Sequence, residues 1–87
     1  MSLRVAVQMD PLEGIAIAGD STFALMLEAQ ARGHRLFHYL AEDLTYESGR
    51  LYAGAHEVTV QPVPGNHFTR GEAATLDLGR DADVVLM

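Results

Sequence analysis

Short unbroken apolar runs stand near both ends of the chain, and between them apolar and polar positions alternate with changing period. Residues 3–9 carry Val5, Ala6 and Val7 in succession, the pattern of a short strand covered on both faces. Asp10 and Pro11 end it, because proline has no N–H for the ladder. Residues 12–19 then form an apolar loop that contains Gly14 and Gly19. From Asp20 the period becomes helical. Phe23, Met26, Leu27 and Gln30, with Ala24 and Ala31, are spaced to share one face of a helix over 21–32. Asp20 or Ser21 is placed to cap its free N–H groups, and Gly33 to follow its last turn. A second strand is expected over 35–40.

The middle of the chain reads differently. Residues 44–47 and 50–53 flank Ser48 and Gly49, which predicts a β-hairpin. Residues 56–61 alternate polar and apolar, as a half-exposed strand does. Pro62, Pro64 and Gly65 break that strand, and 68–72 form another short extended piece. Residues 77–82 predict a turn or a single helical turn, leading into a last apolar strand over 84–87. Strand, helix, strand and a final apolar strand predict an α/β fold. Its sheet is expected to be mostly parallel, with 3–9, 35–40 and 84–87 as neighbours and an antiparallel hairpin inserted. An α+β arrangement dominated by the hairpin is the alternative.

Charge and composition narrow the function classes. The 87 residues suffice for one small domain, and 48% are hydrophobic. A net charge of −6, with only six scattered basic residues, disfavours nucleic acid and anionic membranes as partners. Cysteine is absent, which removes disulfides, thiolate metal sites and cysteine nucleophiles. No apolar run approaches the roughly 20 residues that span a bilayer. An apolar strand at the very end suggests a piece of a longer polypeptide, since termini usually fray at the surface.

Candidate chemistry gathers around the first loop. Asp10 stands at the carboxyl end of the first strand, the edge where open α/β sheets bind ligands. There it could hold an ammonium group or a basic side chain, or simply close an Asp-Pro turn. The helix start at Asp20 and Ser21 could attract an anionic group such as a substrate carboxylate, although both residues also serve as caps. Gly14 and Gly19 do not form a dinucleotide or phosphate-loop motif. His34, His38, His56 and His67 lack a zinc-ligand pattern, and the serines lack a nucleophile elbow. Glu42, Asp43 and Glu47 read as a solvated face, and Met9, Met26 and Tyr39 as core.

The wording of the residues adds a resemblance. Val7, Gln8, Met9, Asp10 and Pro11, then the run from Asp20 to Gly33, are similar to the opening of bacterial glutathione synthetase. The closing Ala82, Asp83, Val84, Val85, Leu86 and Met87 resemble the same family at the same distance from the start. The resemblance implies an N-terminal, Rossmann-like pre-ATP-grasp module on the substrate side of a ligase. That ligase joins γ-glutamylcysteine to glycine with ATP and magnesium through an acyl-phosphate. By the same resemblance, Asp10, Pro11, Asp20 and Ser21 are substrate-binding positions, and Ala18 and Gly19 stand where many relatives carry basic residues. The arginine that follows the last strand in the family, and the ATP- and magnesium-binding groups, fall beyond Met87. No catalytic residue is therefore expected among residues 1–87, and no bound ATP or magnesium. The expected setting is cytoplasmic. The expected partners are the ATP-grasp domains of the same polypeptide and further copies in a homo-oligomer. A non-enzymatic ligand-binding or receiver-like module, or the opening of another ATP-grasp ligase, are the alternatives.

Overall fold

The three apolar runs form neighbouring parallel strands. In the computed structural model, which describes residues 2–63 and 65–87, β1 (Arg4–Gln8) lies between β2 (Arg35–Tyr39) and β6 (Val84–Leu86). Val5 faces Leu36 on one side and Val84 on the other. Asp83 secures the β1–β6 pair: its carboxylate accepts from the Arg4 N–H at 2.8 Å, and its own N–H donates to the Arg4 carbonyl at 2.8 Å.

The link from β1 to β2 runs through α1 (Ser21–Ala31). Asp20 is its N-cap, accepting from the Phe23 N–H at 2.7 Å. At the other end, His34 N–H donates to the Ala29 carbonyl and Gly33 N–H to that of Gln30, a Schellman closure with Gly33 at φ 85°. Phe23 and Met26 are fully buried, and Leu27 and Ala29 pack beside them. Ala24 and Ala31 are exposed, contrary to the expected face, because Ala24 lies a helical step of about 100° from buried Phe23 and Ala31 the same step from half-buried Gln30. Gln30 does reach the sheet: its amide donates to the Val60 carbonyl and accepts from the Val60 N–H, both at 2.7 Å.

The hairpin forms as expected and then keeps going. Strands β3 (Leu44–Glu47) and β4 (Arg50–Val60) turn at Ser48 and Gly49, with φ 52° and 79°, the two positive values a type I′ turn requires. Strand β4 joins the two stretches expected separately over 50–53 and 56–61, and β5 (Phe68–Asp77) extends well past Glu72. Each supplies hydrogen bonds to the other from Tyr52–Asp77 to Val60–Phe68, so neither can end early without orphaning backbone groups. A bulge interrupts the pairing, with Glu57 opposite Gly71 and Glu72. A Cβ at Gly71 would lie 2.9 Å from the Glu57 carbonyl oxygen, so only glycine fits there without a backbone shift. Strand β4 ends at Val60, before Pro62, as expected, while Pro64 lies outside the described residues.

The sheet is therefore mixed, which corrects the expected mostly parallel character. Strand order is β3-β4-β2-β1-β6 with β5 also on β4, and antiparallel partners hold β4 on both edges. The architecture is α/β in the broad sense, one helix on one face of a six-stranded sheet. Val5, Val7, Leu36, Val58 and Val60 meet α1 and Leu12 on that face. Ala6, Phe37, Tyr39, Ala53, Ala55 and Leu76 make the second cluster, as the alternation of Cβ directions requires. Residues 77–81 form the expected turn, closed by Asp77, whose carboxylate accepts from Arg50 at 3.0 Å and from the Gly79 N–H at 3.1 Å.

Candidate functional site

The loop leaving β1 is stitched down by residues far away in sequence. Leu12 is fully buried, and its carbonyl accepts from His67 Nε2 at 2.5 Å. His67 packs edge-on against Phe23, with ring centroids 5.7 Å apart. Nearer the strand end, His38 Nε2 lies 3.2 Å from the Met9 carbonyl and 3.3 Å from that of Asp10. Two carbonyls there require Nε2 to carry the proton. Burial pushes the His38 pKa below its ordinary 6.5, against the pull of those two carbonyl bonds. The imidazole is thus neutral at neutral pH and acts as a fixed donor to the loop. Glu13, in a short 3₁₀ turn after Pro11, pairs with Arg70 of β5 at 3.0 Å. Its carboxyl is held below the usual range by its own backbone N–H first and by Arg70 second.

Two crevices result, one on each side of the carboxyl ends of β1 and β2. The first, about 780 Å³, is largely apolar and includes Tyr39, Leu44, Leu51, Leu78, Val85 and Met87. The second, about 340 Å³, is polar: Pro11, Glu13, His38, Asp43, His56 and Arg70 surround it, with Tyr39 and Leu40. His38 and His56 are direct cross-strand partners, which places both imidazoles on the α1 face. Asp43 caps its own turn by accepting from the Leu40 N–H at 3.2 Å. A smaller hollow of about 270 Å³ runs along Gln8, Met9, Asp10 and Pro11 to Leu40 and Glu42.

The residues singled out in the sequence are distributed around this edge. Asp10 and Pro11 are exposed at the exit of β1; Pro11 borders the polar crevice and both border the small hollow. Asp20 uses a carboxylate oxygen for the helix cap, and Ser21 is exposed in the first turn. Sequence reasoning missed Glu13, His38, His56 and Arg70 as a group. Their signal was present: in β2 and β4 the inward alternation places histidines at positions otherwise filled by Leu36, Val58 and Val60. Among the described residues no three His, Asp or Glu side chains come close enough to hold a metal ion.

A crevice at the carboxyl ends of parallel strands, bordered by a loop that leads into a capped helix, is the arrangement of an α/β module with its loops gathered at one sheet edge. Comparison with known proteins makes this specific. The family model described as prokaryotic glutathione synthetase, N-terminal domain, matches residues 3–87, and the chain belongs to that family. It is 46% identical over its whole length to a glutathione synthetase of Mesorhizobium japonicum, covering 28% of that protein. It is 51% identical to one from Bradyrhizobium diazoefficiens and 46% to one from Xanthomonas axonopodis pv. citri, covering all of this chain and 27% of each. The chain thus spans under a third of the length of these relatives.

Proposed function

We propose that the chain is the substrate-side opening of a glutathione synthetase, a cytoplasmic ligase that joins γ-glutamylcysteine to glycine with ATP. What carries this reading is the family match across residues 3–87 together with similarity, along the whole of this chain, to part of proteins of that name. Within it, Asp10, Pro11, Asp20 and Ser21 are proposed to face the peptide substrate, since they flank the loop at the carboxyl edge of the sheet. A Rossmann-like ancestry of the module is part of the same reading, supported by the parallel β2-β1-β6 core.

ATP and magnesium are proposed to lie outside the described residues of this chain. Its one glycine-flanked loop folds into two 3₁₀ turns without a phosphate cradle, and the described residues offer no metal-ligand cluster. Both are proposed to bind the remaining part of the longer protein, nearly three-quarters of its length by the measure of the relatives, with the ATP-grasp domains as intramolecular partners. Half-exposed Val85 and Leu51 at the margin of the face opposite α1, and half-exposed Val84 on the strand β6, support self-association as well.

The test is a coupled assay of the polypeptide whose gene carries this sequence. Glycine- and γ-glutamylcysteine-dependent ADP release is expected, with none from residues 1–87 alone. Asp10→Asn is expected to raise KM for γ-glutamylcysteine while leaving KM for ATP unchanged. Absence of glutathione formation by the longer protein overturns the reading.

A further inference from the structure

We propose that the polar crevice between the β1 exit loop and β4–β5 is a recognition site for an α-amino-acid head group, an ammonium and a carboxylate on one carbon. The inference deepens the substrate reading above and rests on it, because a γ-glutamyl peptide carries such a head at its free end.

The argument starts from the charges around the crevice. Arg70 supplies one guanidinium, while Glu13 and Asp43 supply two carboxylates. A simple anion would meet two like charges, and a divalent metal lacks its third ligand. A zwitterion satisfies both signs. Its carboxylate suits Arg70, whose planar fork binds carboxylates in two parallel hydrogen bonds. In the free protein Glu13 occupies that fork through a single oxygen, Oε2, at 3.0 Å. The pair is exposed, with 39% and 57% of the two side chains accessible, so exchanging one carboxylate for another costs little. Glu13 released from Arg70, and Asp43 across the crevice, then offer acceptors to the ammonium. Asp43 uses Oδ2 for its turn, which leaves Oδ1 for a ligand.

Rigidity distinguishes this cluster from a chance grouping of surface charges. His38 is 5% exposed and locked to two loop carbonyls, so the wall carrying Pro11 and Glu13 is tied directly to β2. Arg70 stacks over Phe68 at 5.3 Å from the ring centroid, which limits its swing. The volume, about 340 Å³, accommodates the head and leaves the side chain to run outward over Pro11 toward the hollow beside Asp10. Pro11 borders both spaces and so connects the proposed head site with the expected substrate loop.

Three probes separate the two charges: γ-L-glutamyl-L-alanine carries both, glutaryl-L-alanine lacks the ammonium, and 4-aminobutyryl-L-alanine lacks the carboxylate. Titration of the full-length protein by calorimetry, with amide shifts mapped by NMR, is expected to rank the first at least about 10-fold above the other two. Shifts should centre on Glu13, His38, Asp43 and Arg70. Arg70→Gln should weaken the first probe about 10-fold and erase its advantage over 4-aminobutyryl-L-alanine; Arg70→Lys should restore part of it. Asp43→Asn should erase the advantage over glutaryl-L-alanine. Unchanged circular dichroism and melting temperature accompany each variant, and a variant that melts early is replaced by Glu13→Gln, which leaves Arg70 and its stacking in place. Equal affinity for the three probes, or shifts confined elsewhere, overturns the proposal. If the protein makes glutathione yet the probes bind alike, the head-group site falls and the ligase reading stands. If the probes are discriminated but no glutathione forms, the reverse holds.

Discussion

The two faces of the sheet are built from the same strands but to different standards. On the α1 face, Val5, Val7, Leu36, Val58 and Val60 are at most 4% exposed, closed over by Phe23, Met26 and Leu12. The opposite face is floored by alanines at positions 6, 53 and 55, with Phe37, Tyr39 and Leu76, and its margin leaves Val85 and Leu51 about two-fifths exposed. The difference follows from what each face has to pack against. A helix tethered between β1 and β2 brings large side chains to one face; the other has only the curl of β3 and the turn at 77–81 to shelter it. Both faces carry a crevice at the same sheet edge. The helix side yields a polar one, because the loop carbonyls and histidines there need partners, and the other side yields an apolar one.

Truncation is the strongest way to break this comparison. Phe23→Ala removes a side chain that is 1% exposed and should cost about 3–5 kcal/mol, whereas Leu51→Ala on the open margin should stay within about 0.5 kcal/mol. Urea unfolding of both reads the contrast directly, and similar midpoints would mean that the faces are equally consolidated. A smaller effect is expected at the strand shared by both faces. Gly71→Ala places a methyl 2.9 Å from a backbone oxygen in the bulge and should cost about 1–3 kcal/mol, with amide shifts confined to the middle of β4 and β5. A neutral outcome would show that the bulge shifts freely.

Acid sharpens the contrast most gently. Burial lowers the His38 pKa in the folded state, so the unfolded chain takes up its proton first as pH falls. The stability this group contributes is complete above about 6.5 and declines as pH drops from there toward the folded value. Melting temperatures at pH 7.5 and 5.5 should therefore converge more for His38→Gln than for the native protein. Equal losses would remove His38 from the account. The carboxylates of Glu13 and Glu57, both lowered by arginine partners among their causes, act below 4.5 and do not interfere in that window.

Local chemistry determined a good part of this protein. The apolar runs in β1, β2 and β6, the Asp20 cap, the helix ending at Gly33 and the Ser48–Gly49 turn all follow from neighbours within a few residues, where steric and hydrogen-bonding preferences act directly. The ordered wording around Asp10, Pro11 and Asp20 also identified the family. Tertiary structure alone decided the rest. How far β4 and β5 extend depends on each strand having the other beside it, and the balance of antiparallel over parallel pairing follows from that. The polar crevice joins Glu13 to Arg70 and His38 to Met9 and Asp10, partners 57, 29 and 28 residues apart. No local preference reports such a contact: it exists only once the loop after β1 has closed over the sheet and brought those groups together.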